Sequence, residues 1–243
     1  MRMIRPSRPN LPAARNAGVR AATGEIVIFV DDDVIIEPDF ISGNVRALEN
    51  DSVGGVTGLT LRPDERDNEQ VRETQLSLLG CKERFPDGTA SVYWTSGCCS
   101  SFRTSAIVEA GMSDERFTGG AWSEDADLSV RVASLGYKLI FDPRIRLIHL
   151  ALPSGGCENR TDGHASEKKA EEQCRLYLFF CLKNRRIFGL ARTMRAVWQA
   201  YRQYSLNRSL IQSWRTACGR QLLFARSVIG ALRLIRSPKV ETH

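Results

Sequence analysis

The sequence is short of histidine, with three in 243 residues, and has no C-x-x-C pair among its seven cysteines. No histidine shares a ligand-like spacing with a cysteine pair, which speaks against a zinc site. Cys81, Cys98, Cys99, Cys157, Cys174, Cys181 and Cys218 are an odd set in a medium-sized chain, so a reducing compartment fits better than a disulfide framework. Internal repeats and low-complexity tracts are lacking, which excludes a solenoid and argues against disorder. Long hydrophobic runs are lacking too. Leu176 to Leu182, the longest near the tail, is too short for a hydrocarbon core of about 30 Å. Met1-Arg2-Met3-Ile4-Arg5-Pro6 has no apolar stretch of the kind a secretory leader needs. The expectation is a cytoplasmic protein, or one peripheral on the inner face of a membrane.

Acidic residues all but vanish from the C-terminal part. Residues 174–243 hold 14 Lys+Arg against 1 Asp+Glu, a net of +13, whereas residues 1–173 hold 20 against 27, a net of −7. Two parts are therefore expected: an acidic body over 1–173 and a basic, amphipathic helical tail over 174–243. With 42% hydrophobic residues, the chain can bury a full core.

The body reads as alternating helix and strand. Asn10 and Pro12 open a helix that runs to Ala22 and stops at Gly24. Ile26-Val27-Ile28-Phe29-Val30 is continuously apolar and β-branched, the pattern of a strand buried on both faces. Pro38 and Asp39 open a helix to about Leu48, and Val53 to Leu61 reads as a strand. Residues 62–75 are a charged surface helix or loop. Val92-Tyr93-Trp94 leads into a strand of small residues, Gly97-Cys98-Cys99-Ser100-Ser101-Phe102, and Arg103 to Ala110 suits a short helix. Ser123 can cap a helix from Glu124 to Leu135. Tyr137–Phe141 and Ile145–Leu150 then read as two strands parted by an Asp142-Pro143 turn, with a Pro153-Ser154-Gly155-Gly156 loop after them. This is α/β grammar.

Three groups could carry chemistry. Asp31-Asp32-Asp33 follow the apolar strand directly, where ligands bind in open α/β sheets. Carboxylates at i and i+2 on a loop can converge on one hard cation, Mg2+ or Mn2+, that keeps positions free for diphosphate oxygens. Standing alone, such a triplet reads as a solvated turn; after a five-residue buried strand the metal reading is the better one. Glu124 and Asp125, preceded by Gly119-Gly120-Ala121-Trp122-Ser123, are either ordinary N-terminal helix charge or a general base. His149, near a strand end, is either a satisfied structural histidine, a third metal ligand or a phosphate contact.

Taken together, the motifs resemble glycosyltransferase family 2. The first block is Ala14-Arg15-Asn16-Ala17-Gly18, then Ala22-x-Gly24-Glu25 and the strand ending in Asp31-Asp32-Asp33, then Pro38. The second is Phe117, Gly120, Glu124-Asp125-x-Asp127-Leu128, Arg131, Gly136-Tyr137, Pro143 and His149. The resemblance covers about residues 9–185. It implies a GT-A-like, Rossmann-like mixed sheet flanked by helices, a nucleotide-sugar donor, inverting transfer to a glycan or lipid-linked hydroxyl, and a divalent cation. By position, Asp31 and Asp33 form the D-x-D motif, with His149 a further ligand, and Asp32 acts through the ribose or the field. Asp125 is the base beside Glu124. Arg15, Asp31, Asp32, Gly97, Trp122 and Glu124 are the expected substrate contacts. The family's opening strand, with its Pro-x-Tyr-Asn motif, and the following strand with its Asp-rich turn are not in this sequence, so an N-terminally truncated sheet is expected.

The tail shows one stripe of Leu190, Met194, Val197, Trp198 and Tyr201, opposite Arg192, Arg195 and Arg202. A second holds Trp214, Cys218, Leu222, Ala225, Ile229 and Leu232, edged by Arg208, Arg215, Arg226 and Arg233. Such helices suit either an anionic membrane surface or packing on the body with solvated arginines. Nucleic acid is not expected, because the acidic body repels phosphate. A non-catalytic, membrane-associated remnant is the competing functional reading. Dehalogenase-like chemistry lacks its Asp-x-Asp-x-Thr, since Val34 and Ile35 follow the triplet, and a prenyl synthase needs a second Asp-rich helix.

Overall fold

The apolar run before the aspartates forms strand β1 (Ile26–Val30), and its side chains alternate between two cores. Val27 and Phe29 pack against one apolar cluster, and Ile26 and Ile28 against another. The computed structural model describes residues 3–4, 9–152, 167–205 and 214–238. They fall into two units: residues 3–4, 13–113 and 125–152, and residues 9–12, 114–124, 167–205 and 214–238.

The first unit is built on a mixed sheet. Besides β1 it contains β2 (Val34–Ile36), β3 (Val53–Leu61), β4 (Cys81–Arg84), β5 (Ala90–Val92), β6 (Cys99–Arg103) and β7 (Lys138–His149). The strand order is β1-β6-β3-β7-β5-β4, with β2 paired to β7 off that path. Among the described residues only the β3–β7 pair is parallel. Among the described residues β1 pairs with β6 alone, so it is an edge strand, half-exposed rather than fully buried, and Val30 remains 45% exposed. The expectation of full burial on both faces is corrected to that extent.

Helices α1 (Leu11–Ala21), α2 (Phe40–Ala47), α3 (Glu69–Leu79), α4 (Thr104–Glu109) and α5 (Glu124–Ser134) accompany the sheet. On one face Val19, Ile107, Leu128 and Val132 close over Leu59, Phe102, Leu139 and Phe141. On the other, Phe40 and Leu48 close over Val56, Cys99, Ile145 and Leu147. Asn68 caps α3 by accepting from the Val71 N–H, and Gly80 ends it at φ +67°. Ser123 is not the extended N-cap expected before α5, because it sits at φ +67°.

One strand replaces the two expected between Tyr137 and Leu150. β7 runs through Asp142-Pro143, where its register against β3 jumps from Gly58↔Asp142 to Leu59↔Arg146. Proline has no N–H to give to a ladder, so the chain bulges there instead of turning away. An insertion of odd length also exchanges the two faces of a strand. Leu139 and Phe141 accordingly join the first core, whereas Ile145 and Leu147 join the second.

The second unit contains α6 (Glu167–Lys183), α7 (Arg185–Phe188), α8 (Leu190–Ser205) and α9 (Trp214–Arg236), so residue 173 falls inside a helix. Cys174, Leu176, Leu178, Phe179 and Cys181 make α6 its buried centre. The Phe117 and Phe179 rings lie 4.9 Å apart, and the buried Asp114 carboxylate pairs with Arg116 at 2.7 Å and with Lys183 at 2.6 Å.

The tail helices turn much of each described stripe outward, while Val197 and Tyr201 are half-buried and Tyr201 meets the Phe224 ring at 5.2 Å. In α8 the buried positions are Thr193, Ala200 and Ser205, while Leu190, Met194 and Trp198 are 74%, 56% and 56% exposed. In α9 Leu223, Ser227 and Ala231 are buried and Leu222, Ile229 and Leu232 exposed. Small side chains let helices approach closely, which leaves the large apolar ones facing out. Arg208, Cys157 and the 153–156 loop lie outside the described residues, as do the side chains of Trp214, Arg215 and Cys218.

Candidate active site

Asp31 and Asp33 lie on the loop between β1 and β2, and His149 ends β7. The pairing Val34↔His149 brings that loop to the imidazole. His149 Nε2 lies 3.3 Å from Asp31 Oδ2 and 3.4 Å from Asp33 Oδ1. One ligand atom from each of the three residues falls within 4.8 Å of the others. Two carboxylates and an imidazole suit Mg2+ or Mn2+, and none of the three is fully buried, so the site stays open to a ligand.

The loop is held by its neighbours. The Leu150 N–H donates to the Asp33 carbonyl at 2.8 Å, and the Leu152 N–H to its Oδ2 at 3.1 Å. The Ala151 N–H donates to His149 Nδ1 at 3.1 Å, from a residue at φ +50°. A neutral ring that accepts at Nδ1 carries its proton on Nε2, facing the two aspartates. Binding a cation through Nε2 therefore requires that proton to move and the Ala151 contact to open. Asp32 is exposed and stands outside this cluster.

A second group converges on the turn before β6. The Gly97 N–H donates to Asp125 Oδ2 at 3.0 Å, and Arg15 Nη2 donates to the Gly97 carbonyl at 3.0 Å. The Arg15 guanidinium also sits over the Phe29 ring, 5.5 Å from its centroid. Asp125 Oδ1 accepts from the Ala126 N–H at 2.8 Å, so both carboxylate oxygens are oriented. One helical turn on, Ser129 Oγ accepts from the Thr95 N–H at 3.0 Å and ties α5 to the same turn again.

Arg15, Gly97 and Asp125 are thus brought together, as are Asp31, Asp33 and His149. Glu124 is buried, unlike its neighbour Asp125, and Trp122 is exposed; both belong to the second unit. Asp127 pairs with Arg131 at 2.9 Å inside the fold and is structural.

The sequence reading gave no role to Cys98, although it lies in the small-residue run it singled out. Its thiol is 3.2 Å from Ser96 Oγ and 3.6 Å from Thr60 Oγ1. Burial pushes the thiol up, and the Asp31 and Asp125 charges act in the same direction.

Solved structures share this architecture. A mannosyltransferase from Pyrobaculum calidifontis in complex with GDP-Man and Mn2+ aligns with 93% of this chain and 67% of its own, with TM-score 0.51 and 19% identity. TarS 1–349 of S. aureus, in complex with UDP-GlcNAc, aligns with 93% and 62%, with TM-score 0.55 and 15% identity. The fold is that of the GT-A glycosyltransferases. Residues 1–111 match the family model for glycosyl transferase family 2. A glucosyl-dolichyl phosphate glucuronosyltransferase of Haloferax volcanii is 30% identical over 145 residues, 56% of this chain and 46% of that protein. A poly-beta-1,6-N-acetyl-D-glucosamine synthase of Staphylococcus aureus is 26% identical over 136 residues, 54% of this chain and 31% of that protein. The chain spans less than half the length of these two relatives.

Proposed function

We propose that the protein is an inverting glycosyltransferase that moves a sugar from a nucleoside-diphosphate sugar to a hydroxyl of a glycan or lipid-linked acceptor. The observation that carries this reading is the convergence of Asp31, Asp33 and His149 at the end of β1 and β7. These three residues would hold Mg2+ or Mn2+, which when bound offsets negative charge on the departing diphosphate. Asp125, oriented by Gly97 and Ala126, takes the proton of the attacking hydroxyl. A single displacement then inverts the anomeric carbon without a covalent enzyme intermediate. Asp32, Gly97, Trp122 and Glu124 are proposed to border the substrates. The GDP-Man and UDP-GlcNAc complexes of the structural neighbours support the donor class.

Catalysis falls to residues 1–173 in this reading, and contact with the inner face of an anionic membrane to residues 174–243. Support comes from the outward Leu190, Met194 and Trp198 of α8, beside exposed Arg192, Arg195 and Arg202. No helix among the described residues is long and apolar enough to cross a membrane. The test is metal-dependent release of nucleoside diphosphate from UDP-GlcNAc, GDP-mannose and UDP-glucuronic acid, followed by transfer to lipid-linked acceptors. No metal-dependent binding of any nucleotide sugar would leave the non-catalytic remnant as the better reading.

A further inference from the structure

We propose that Arg15 is a positioning residue for Asp125, acting through the Gly97 peptide, rather than a nucleotide contact. The inference rests on the assignment of Asp125 as base. The Gly97 peptide is gripped from both ends: its carbonyl accepts from Arg15, and its N–H donates to Asp125. A β-carbon on Gly97 would lie 2.8 Å from Arg15 Nη2 and 3.3 Å from Asp125 Oδ2. Guanidinium and carboxylate therefore flank the same face of one residue, and a β-carbon there would push the guanidinium aside.

Arg15 is itself seated on Phe29, two residues before Asp31 on the strand that delivers the metal-type loop. Phe29, Arg15, Gly97 and Asp125 form a continuous chain of contacts from β1 to the start of α5. Its effect is to fix the distance between the donor end of the site and the group that receives the acceptor's proton. A planar fork that stacks on an aromatic ring while donating in its plane is a task for arginine, and lysine cannot do both.

The test uses Arg15→Gln and Arg15→Lys, with Gly97→Ala as an independent disturbance of the same peptide. Donor affinity is measured by calorimetry with Mn2+ and either UDP-GlcNAc or GDP-mannose. Turnover is measured as nucleoside diphosphate release, and the Gly97 amide is followed by NMR hydrogen exchange. The expected result is donor affinity within about twofold of wild type and turnover lower by roughly 10- to 100-fold, the cost of an ångström-scale misplacement. The Gly97 amide loses protection in Arg15→Gln while the β3 amides keep theirs, and lysine restores little.

Donor affinity falling in step with turnover would make Arg15 a nucleotide contact and overturn the proposal. Unchanged protection of the Gly97 amide in Arg15→Gln would overturn it as well. Wild-type turnover in Asp125→Asn would instead refute the base assignment, and the exchange data still decide whether Arg15 holds the Gly97 peptide.

Discussion

Val34 and His149 are register partners across β2 and β7, so the residue after the aspartate triplet lies opposite the imidazole. This pairing brings together Asp31 and His149, 118 positions apart in the chain. It depends on the bulge at Asp142-Pro143, which lets β7 meet β5 with its first half and β2 with its second.

Gly58 lies beside that bulge, and a β-carbon there would come within 2.3 Å of the Ile145 carbonyl oxygen and 2.9 Å of Cys99 Sγ. Gly58→Ala is expected to destabilise the first unit by about 1–3 kcal/mol through overpacking. Because His149 lies beyond the bulge, Mn2+ affinity should weaken too. Thermal melts with and without Mn2+ check this; an unchanged melting temperature would contradict the packing.

Asp125→Asn keeps the shape of the side chain but removes its capacity to take a proton. Donor binding should stay near that of wild type, while transfer falls by at least about 100-fold, the usual scale for general-base loss. Single-turnover kinetics at saturating donor separate the two effects. Weakened donor binding would count against the role.

Asp114 tests the second unit through pH. Burial opposes its charge, but the Arg116 and Lys183 contacts outweigh burial and hold the carboxyl well below its usual range. A carboxylate with a depressed folded pKa stabilises above its unfolded pKa of about 3.9 and loses that contribution as pH falls further. Helical signal should therefore drop below about pH 4. Asp114→Ala should cost about 1–3 kcal/mol at pH 7, because the half-buried Arg116 and Lys183 each lose a charged contact. A variant as stable as wild type would show that the cluster does not hold these helices.

Burial pushes the Cys99 and Cys181 thiols up to about 12 and Cys174 up to about 11. At pH 8 these three should resist alkylation in the folded protein and react only after unfolding. Mass spectrometry after a timed iodoacetamide pulse reads this directly. Rapid native labelling of Cys174 or Cys181 would contradict the packing of α6.

Much of the site was legible because its signals are local. The Ile26–Val30 run and the aspartates beyond it are contiguous, and Val53–Leu61 is the strand read from the sequence. Cys81-Lys82-Glu83-Arg84 was missed because its charges give no apolar alternation, and Val34–Ile36 because three residues carry no period. Pro143 suggested a turn, since a bulge that keeps a strand going depends on Gly58 in the neighbouring strand. The tail stripes were legible as a period, with membrane contact and packing on the body both left open. Periodicity does not say which face packs, and in α8 and α9 close approach favours Thr193, Ala200, Ser227 and Ala231. The meeting of Arg15 with Gly97, 82 positions apart, was not legible, because it arises only once the sheet has formed.

Asp31, Asp33 and His149 are proposed to form the cation site that makes sugar-nucleotide binding metal-dependent. Calorimetric titration of UDP-GlcNAc and GDP-mannose, with Mn2+ and with EDTA, into wild type and Asp33→Ala tests it most directly. Wild type should bind donor with Mn2+ but not with EDTA, and Asp33→Ala should lose that binding at an unchanged melting temperature. Equal donor affinity with and without Mn2+, or a folded Asp33→Ala that binds as wild type does, would contradict it.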